Sequence, residues 1–303
     1  MKGLRGILAA LMWGAAWRAV GQGDFVWVRP AAQGNGNWNS TANWAGESSY
    51  MPDDPDERAI FNHPSTNGMP IQNANMTDGL GQLRFNHAGW TVYGTDPLRF
   101  NAIPYYQSLA IEARAQSEAG TIVLNPPLVF LNGRQVIATD SGVLLLLAGG
   151  VSGSYAPIIS SVSPGGPDTG AVRLNAQSFV TDAFTVRQGT LLVAHSAGLG
   201  ASSAAVTLGD TGTAANAWMA LLTDTNGVTV TKDIVVQNAG ASAVLGARHT
   251  TGSSTFSGAV TLQRSVALWS SGGTVTFSGQ ISGSGALTVT GSGTVVLSGP
   301  NTF

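Results

Sequence analysis

Short apolar runs, several of them alternating with polar residues, recur along most of the chain and are separated by glycine and serine. Such runs begin at Gly120 (GTIVL), Gly142 (GVLLLL), Gly189 (GTLLV) and Gly227 (GVTVTKDIVV). Short runs of this composition between turn residues are typical of β-strands. The pattern therefore predicts an all-β protein, except at residues 107–119, where it predicts a helical turn or two.

Near the C-terminus the pattern repeats almost residue for residue. Gly273 to Gly279 reads GTVTFSG, and Gly293 to Gly299 reads GTVVLSG. Repetition at a fixed offset of this size is typical of a solenoid, in which each repeat forms one coil, or rung. A β-sandwich also contains many short strands, but it does not require a fixed offset. Because neighbouring strands lie about 4.8 Å apart, the repeat predicts stacked interior pairs, namely Val275 with Val295 and Phe277 with Leu297.

A third, degenerate copy of the repeat (TFSG) ends at Gly258, at nearly the same offset before Gly279. We expect Gly258, Gly279 and Gly299 to stack at one corner of the coil, where the backbone takes a positive φ that glycine adopts without steric cost. At this period, residues 80–303 predict about eleven rungs and a parallel β-helix roughly 50 Å long.

The N-terminal segment, residues 1–23, has the features of a secretory signal peptide. Lys2 and Arg5 form a basic start, an apolar run extends from Ile7 to Trp17, and Ala19-Val20-Gly21 resembles a small-residue cleavage site. The run is shorter than the stretch of about 20 apolar residues that spans a bilayer, so no transmembrane segment is predicted after cleavage. The prediction is therefore a secreted or cell-surface protein, for which association with the outer membrane is a further expectation.

Residues 24–79 differ in composition from the rest of the chain. Gly34 to Gly46 is rich in asparagine and tryptophan, and Met51 to Asn62 holds a dense group of charges. The predicted organisation is a signal peptide at 1–23, a β-rich N-terminal cap region at 24–79 and a β-helix repeat region at 80–303. We expect the repeats to continue beyond this chain.

Composition limits the partners and the chemistry. Lysine and arginine number 14 against 16 aspartate and glutamate, so no basic surface for nucleic acid is predicted. Cysteine is absent, which excludes disulfides, thiolate catalysis and cysteine zinc sites. No metal or cofactor site is predicted, because the histidines lack ligand spacing. They are expected in solvated loops or at corners, at His63, His87, His195 and His249.

Two segments resemble a known family, the autotransporter-associated β-strand repeat proteins. Ile281 to Phe303 is similar to the opening half of the family motif, with a glycine turn, an apolar strand, Leu-Ser-Gly and then Asn-Thr-aromatic. Leu174 to Asp210 resembles the whole motif and the strand that follows it. The resemblance implies a right-handed parallel β-helix on or outside the cell, similar to the passenger regions of bacterial autotransporters, and it carries over no catalytic residues.

Two groups of residues are candidates for a site. Trp38 and Trp44 could contact glycans, because sugar rings stack on indoles, or they could fill the open core of the first rung, which a solenoid end requires. A glycan-degrading enzyme needs clustered carboxylates on neighbouring rungs. Asp210 and Asp233, separated by about the length of one repeat and with Lys232 alongside, are the nearest approach to such a pair, although coincidence explains their spacing better.

These observations favour a secreted or cell-surface structural or adhesive protein, a passenger-like stalk with no catalytic site of its own. Surface glycans, other cell-surface proteins and further copies of the chain, joined through the C-terminal rung, are the expected partners. The alternatives from other classes are an extracellular polysaccharide-degrading β-helix enzyme and a carbohydrate-binding module on a structural rod.

Overall fold

The structure is a computed structural model. It describes residues 23–29, 33–46, 51–63, 69–72, 76–101, 109–114, 119–162 and 170–302. The predicted signal peptide lies outside these residues, apart from Gly23.

The described residues are almost entirely β-strand and turn, with a 3-10 turn at Thr41–Asn43. The strands, in chain order, are β1 (Asp24–Trp27), β2 (Gly36–Asn37), β3 (Trp44–Ala45), β4 (Arg58–Phe61), β5 (Pro70–Gln72), β6 (Gln82–Phe85), β7 (Thr91–Gly94), β8 (Leu98–Phe100), β9 (Leu109–Ala113), β10 (Gly120–Leu124), β11 (Leu128–Phe130), β12 (Val136–Thr139), β13 (Val143–Leu147), β14 (Val151–Gly153), β15 (Ile158–Ser161), β16 (Ala171–Leu174), β17 (Phe179–Val180), β18 (Thr185–Val186), β19 (Gly189–Val193), β20 (Val206–Leu208), β21 (Trp218–Thr223), β22 (Thr229–Val230), β23 (Ile234–Val236), β24 (Ser242–Ala247), β25 (Ser253–Phe256), β26 (Val260–Leu262), β27 (Val266–Ser270), β28 (Thr274–Phe277), β29 (Ile281–Gly283), β30 (Leu287–Gly291) and β31 (Thr294–Leu297).

The strands form long sheets that run along the molecule. The 12-stranded sheet has the order β29-β26-β23-β20-β18-β15-β12-β9-β6-β4-β1-β3, and the 11-stranded sheet has the order β2-β5-β7-β10-β13-β16-β19-β21-β24-β27-β30. A third face is divided between two four-stranded sheets, β17-β14-β11-β8 and β22-β25-β28-β31. Every pair of described strands is parallel except β1 with β3. This arrangement is a β-solenoid of about nine turns, which confirms the predicted all-β parallel β-helix.

Each turn adds side chains to continuous rows along the interior. One row on the 11-stranded sheet is aliphatic throughout and consists of Ile122, Leu145, Val172, Leu191, Leu221, Leu245, Leu268 and Val289. All of them except Val289, on the last strand of the sheet, are buried. Burying one such side chain stabilises a fold by about 1.5–3 kcal/mol, so these rows are the principal favourable contribution to stability.

The stacked pairs predicted from the C-terminal repeat are present. Val275 pairs with Val295 and Phe277 with Leu297 in the parallel register of β28 and β31. Val275 and Phe277 are buried, and the Phe277 ring stacks on Phe256 of the preceding rung with 4.9 Å between ring centroids. The sequence repeat is therefore the rung repeat of the solenoid.

The predicted count of about eleven rungs is wrong, because most rungs are longer than the C-terminal repeat. From residue 80 onward the 11-stranded sheet contains nine strands, from β7 to β30. The chain between the stacking partners Val275 and Val295 is one short repeat, but the chain between the partners Gly189 and Met219 is about half as long again. Turns outside the sheets absorb the difference, so the strands stack in register although the loops vary in length.

Strands from residues 24–79 belong to the same two large sheets as the later strands. β1 and β4 continue the 12-stranded sheet, and β2 and β5 continue the 11-stranded sheet. Among the described strands, no break in either sheet marks the predicted boundary near residue 79. The 12-stranded sheet ends with the antiparallel pairing of β3 to β1.

The glycines predicted to share a corner do stack, but for a different physical reason. None of Gly258, Gly279 and Gly299 has a positive φ. A Cβ atom on Gly279 would lie 2.0 Å from the carbonyl oxygen of Gly258, and one on Gly299 would lie 2.1 Å from that of Gly279. Glycine is required here because the backbone of one rung lies directly against the backbone of the next.

The helical turn predicted at residues 107–119 is wrong where the structure describes this stretch. Leu109–Ala113 forms β9, which pairs with β6 and β12. The helix-favouring composition is overridden because Ile111 and Ala113 fill positions in an interior row.

One rung of the third face contains no strand. Between β17 and β22 the chain from Ala194 to Ala205 forms turns and bends instead. The contact with the rung before it includes the Ser178 N–H bond to the Ala197 carbonyl, and the contact with the rung after it includes the Thr229 N–H bond to the Ser196 hydroxyl. The third face is therefore two separate sheets.

No helix among the described residues has the length and apolar character to cross a membrane.

The stacked corner yields a test of the rung contact. Gly279→Ala should lower the free energy of unfolding by at least about 1–3 kcal/mol, because the new methyl group meets backbone that cannot rotate away. Urea unfolding measures the change. Ser278→Ala, at the exposed neighbouring position, is the matched control and should change stability by less than about 0.5 kcal/mol. Equal stability of the two variants would contradict the close stacking.

Candidate functional site

The outward face of the 12-stranded sheet carries a row of charged and small side chains. Arg84 on β6, Glu112 on β9, Ala138 on β12 and Ser160 on β15 follow one another in the parallel register. Residues on either side of this row, such as Leu83, lie in the interior. Because successive side chains of a strand point to opposite faces, the row lies on the outer surface.

These side chains line an open groove with a volume of about 560 Å³. The groove crosses several rungs and is lined by Arg58, Arg84, Glu112, Arg114, Ala138, Ser160 and Arg187, among others. Arginines lie at both ends, and the small side chains of Ala138 and Ser160 form part of the floor between them. We call this feature the arginine groove.

At one end of the groove Glu112 is held between two arginines. Its carboxylate lies 2.5 Å from Nη2 of Arg114 and 3.3 Å from Nε of Arg84, and the Glu112 side chain is only 8% exposed. Nε of Arg84 also donates to the side chain of Asn86 at 2.9 Å. Burial lowers the pKa of the Arg84 guanidinium; Glu112 opposes this effect, and the charges of Arg114 and Arg58 add to it.

The other two arginines of the groove, Arg58 and Arg187, each form an ion pair with an aspartate. Arg58 donates to both carboxylate oxygens of Asp24, at 2.7 and 2.8 Å. At the other end Arg187 donates to Asp210 from Nε and Nη2, with a shortest distance of 2.7 Å. Burial by itself raises the pKa of Asp210, but the Arg187 hydrogen bonds and charge, with those of Gly212 and Thr213, bring it below its usual value.

The groove is therefore suited to binding anions. Four arginines, Arg58, Arg84, Arg114 and Arg187, are balanced by three carboxylates, which leaves an excess of positive charge. Each of the three carboxylates accepts hydrogen bonds from arginine. Guanidinium groups offer five N–H donors in a planar arrangement, so they can hold one carboxylate and still bind a second anion.

The structure does not bring Asp210 and Asp233 together. They lie on neighbouring rungs, but Asp210 follows the end of β20, whereas Asp233 precedes the start of β23. Oδ1 of Asp233 accepts the N–H of Ala259, and the buried Lys232 amine donates to the carbonyl of Ser202. Burial lowers the pKa of Lys232. These side chains form no shared carboxylate site.

Trp38 and Trp44 lie in the core of the first rungs. Trp38 is fully buried, Trp44 is 7% exposed, and their ring centroids are 4.8 Å apart. The indole N–H of Trp38 donates to the Pro52 carbonyl, and that of Trp44 donates to the Trp38 carbonyl. Neither indole has a face open to a sugar ring in this structure, and the arrangement matches the packing of a solenoid end.

His249 is buried at a corner rather than solvated. Its Nε2 lies 2.9 Å from the hydroxyl of Ser254, which in turn lies 2.7 Å from the hydroxyl of Thr223, and its Nδ1 lies 3.0 Å from the Thr251 carbonyl. A serine and a histidine at this distance resemble a nucleophile and its base. Ser254 and Thr223 are, however, enclosed in the interior, so the network satisfies buried polar groups.

One group of acids among the described residues has the geometry of a cation site. Ligand oxygens of Asp53, Asp54 and Glu57 all lie within 4.8 Å of one another. Oε2 of Glu57 already accepts the N–H groups of Asp53 and Asp54. Burial raises the pKa of Glu57 to about 7, the two N–H bonds act against this rise, and the neighbouring aspartates add to it. These bonds account for the turn without an ion.

The arginine groove was missed by sequence reasoning. Its members are separated by unequal lengths of chain, because the rungs that carry them differ in length, so no fixed period relates them. The available signal was the alternation of Arg84 with Leu83 and Phe85, which marks an outward charged position on a buried strand.

Comparisons with protein-family models, curated proteins and solved structures found no match to this chain.

The role of Trp38 can be tested through stability. If Trp38 packs the first rung, Trp38→Ala should lower the free energy of unfolding by about 3–5 kcal/mol, because it leaves a large cavity. Tyr93→Ala, which removes an exposed aromatic ring from β7, is the matched control and should have a small effect. A Trp38→Ala protein of unchanged stability would contradict the packing role and revive the glycan-contact hypothesis.

Proposed function

We propose that the protein is a secreted or cell-surface β-solenoid that acts as a structural or adhesive stalk. The observation that carries the proposal is the continuity of the two large parallel sheets, 12 and 11 strands long, from the first strands to the last. A solenoid of this kind presents an extended surface on which the same backbone geometry recurs at each rung. Such a surface suits contacts with repetitive partners.

The sequence supports export and the family resemblance. The basic start, apolar run and small-residue finish of residues 1–23 are those of a signal peptide. The segment Ile281 to Phe303, which resembles the autotransporter-associated β-strand repeat, contains β29, β30 and β31 and supplies strands to three sheets. Membership in that family is part of this proposal.

The stalk role is tested by export and attachment. The full chain, produced in a Gram-negative host, should appear outside the cytoplasm with its N-terminus near Asp24, and a variant without residues 2–23 should remain inside. Beads coated with the purified protein should attach to bacterial cells or polysaccharide films more than albumin-coated beads do. The proposal would be overturned by a protein that stays in the cytoplasm with residues 1–23 uncleaved. It would also be overturned by coated beads that attach no better than albumin-coated beads. Release of sugar fragments from the films would favour the degrading enzyme instead.

A further inference from the structure

We propose that the arginine groove binds a linear polyanionic glycan, whose carboxylate or sulfate groups pair with Arg58, Arg84, Arg114 and Arg187. This inference rests on the proposed adhesive function and names the chemistry of the partner. Among the described residues, the ion pairs of the groove leave guanidinium N–H groups that a ligand can use.

Two of the arginines hold their carboxylates from one side. Arg114 donates to Glu112 from Nε and Nη2, and Arg187 donates to Asp210 from the same two atoms. Among the described residues, no group accepts a hydrogen bond from Nη1 of either arginine, so these two atoms can donate to a ligand. The carboxylates thus fix the arginine side chains in place, which lowers the conformational entropy that a ligand must overcome.

The groove is also long enough to hold several sugar units. Arg84 lies on β6 and Arg187 directly after β18, with β9, β12 and β15 between them in the 12-stranded sheet. At about 4.8 Å for each strand spacing, the two arginines are separated by about 19 Å along the solenoid axis. This span suits an oligosaccharide and exceeds what one small anion can bridge.

The floor between the charged ends of the groove suits a sugar ring. Ala138 and Ser160 are small, and Val136 and Val162 add apolar surface beside them. A sugar ring presents an apolar face and a rim of hydroxyls, and it can lie on such a floor while its anionic substituents reach the arginines. The groove is open along its length, so a long chain can enter at one end and leave at the other.

A nucleic acid is the competing polyanion, and the groove favours it less. Single-stranded nucleic acids are bound by aromatic side chains on which the bases stack. The described residues that line the groove include no aromatic side chain. Burial, together with the charges of Arg114 and Arg58, lowers the pKa of the Arg84 guanidinium, and a bound anion opposes this effect.

The test is isothermal titration of residues 24–303 at low ionic strength. The probes are a long oligogalacturonate, which carries carboxylates, and a heparin fragment, which carries sulfates. Dextran is the neutral probe and poly(U) the nucleic acid probe. We expect binding of one or both anionic glycans that weakens as salt is added, with binding of dextran and poly(U) at least about tenfold weaker. The stronger of the two glycans identifies the anionic group.

The variants locate the site. Arg114→Gln and Arg187→Gln should each weaken glycan binding about tenfold, since each removes a charge-assisted hydrogen bond. Ser160→Glu, which keeps every arginine but places a carboxylate on the floor, should weaken it by at least as much, and Ser160→Arg should strengthen it. Arg99→Gln on β8 is the matched control: it removes the same charge from a different face and should leave binding unchanged. Circular dichroism confirms that each variant is folded.

Several outcomes would overturn the inference. They are the absence of binding to either anionic glycan, equal binding of dextran or poly(U), and groove variants that bind as well as Arg99→Gln. These results are distinct from a failure of the stalk proposal, which is judged by export and attachment. A protein that is exported and attaches to cells but binds no polyanion refutes the ligand alone.

Discussion

The parallel pairing of each strand with the equivalent strand one rung away is the constraint on which the whole structure depends. It fixes side chains in rows, so a position that is apolar on one rung must have an apolar neighbour on the next. The aliphatic row from Ile122 to Val289 and the stacked rings of Phe256 and Phe277 both follow from it. The same register brings Arg84 next to Glu112 on the outer surface, so core and groove have one cause.

The parallel register constrains the strands of each rung but not its loops. At Gly258, Gly279 and Gly299 the backbones of neighbouring rungs are in contact. No residue larger than glycine fits there, because its Cβ atom would collide with the next rung. Where the chain leaves the sheets, its length is free, and successive rungs differ by up to about half of the shortest repeat. Charged side chains lie on the outer surface of the 12-stranded sheet. An outward-facing position on one of these strands tolerates arginine when a carboxylate lies on a neighbouring rung.

The sequence predicted the fold where neighbouring rungs have nearly the same sequence. Val275 and Val295 could be paired from the printed letters, because their rungs differ by no insertion. The groove could not be predicted in this way: Glu112, Ala138 and Ser160 are separated by unequal lengths of chain, and their proximity exists only after the strands are stacked. Composition alone located the tryptophans at the first rungs, but it could not tell an enclosed indole from an exposed one, and the structure encloses Trp38.

The strandless rung between β17 and β22 has a mechanical consequence. Two of the three faces carry an unbroken column of hydrogen bonds past this point, while the third is joined there by a few bonds through Ser196 and Ala197. An elongated body loaded from the side deforms first where its cross-section resists least. A lateral load on the solenoid would therefore concentrate bending at this level, with the two intact faces on the inside of the curve, so the molecule has a preferred direction of bending.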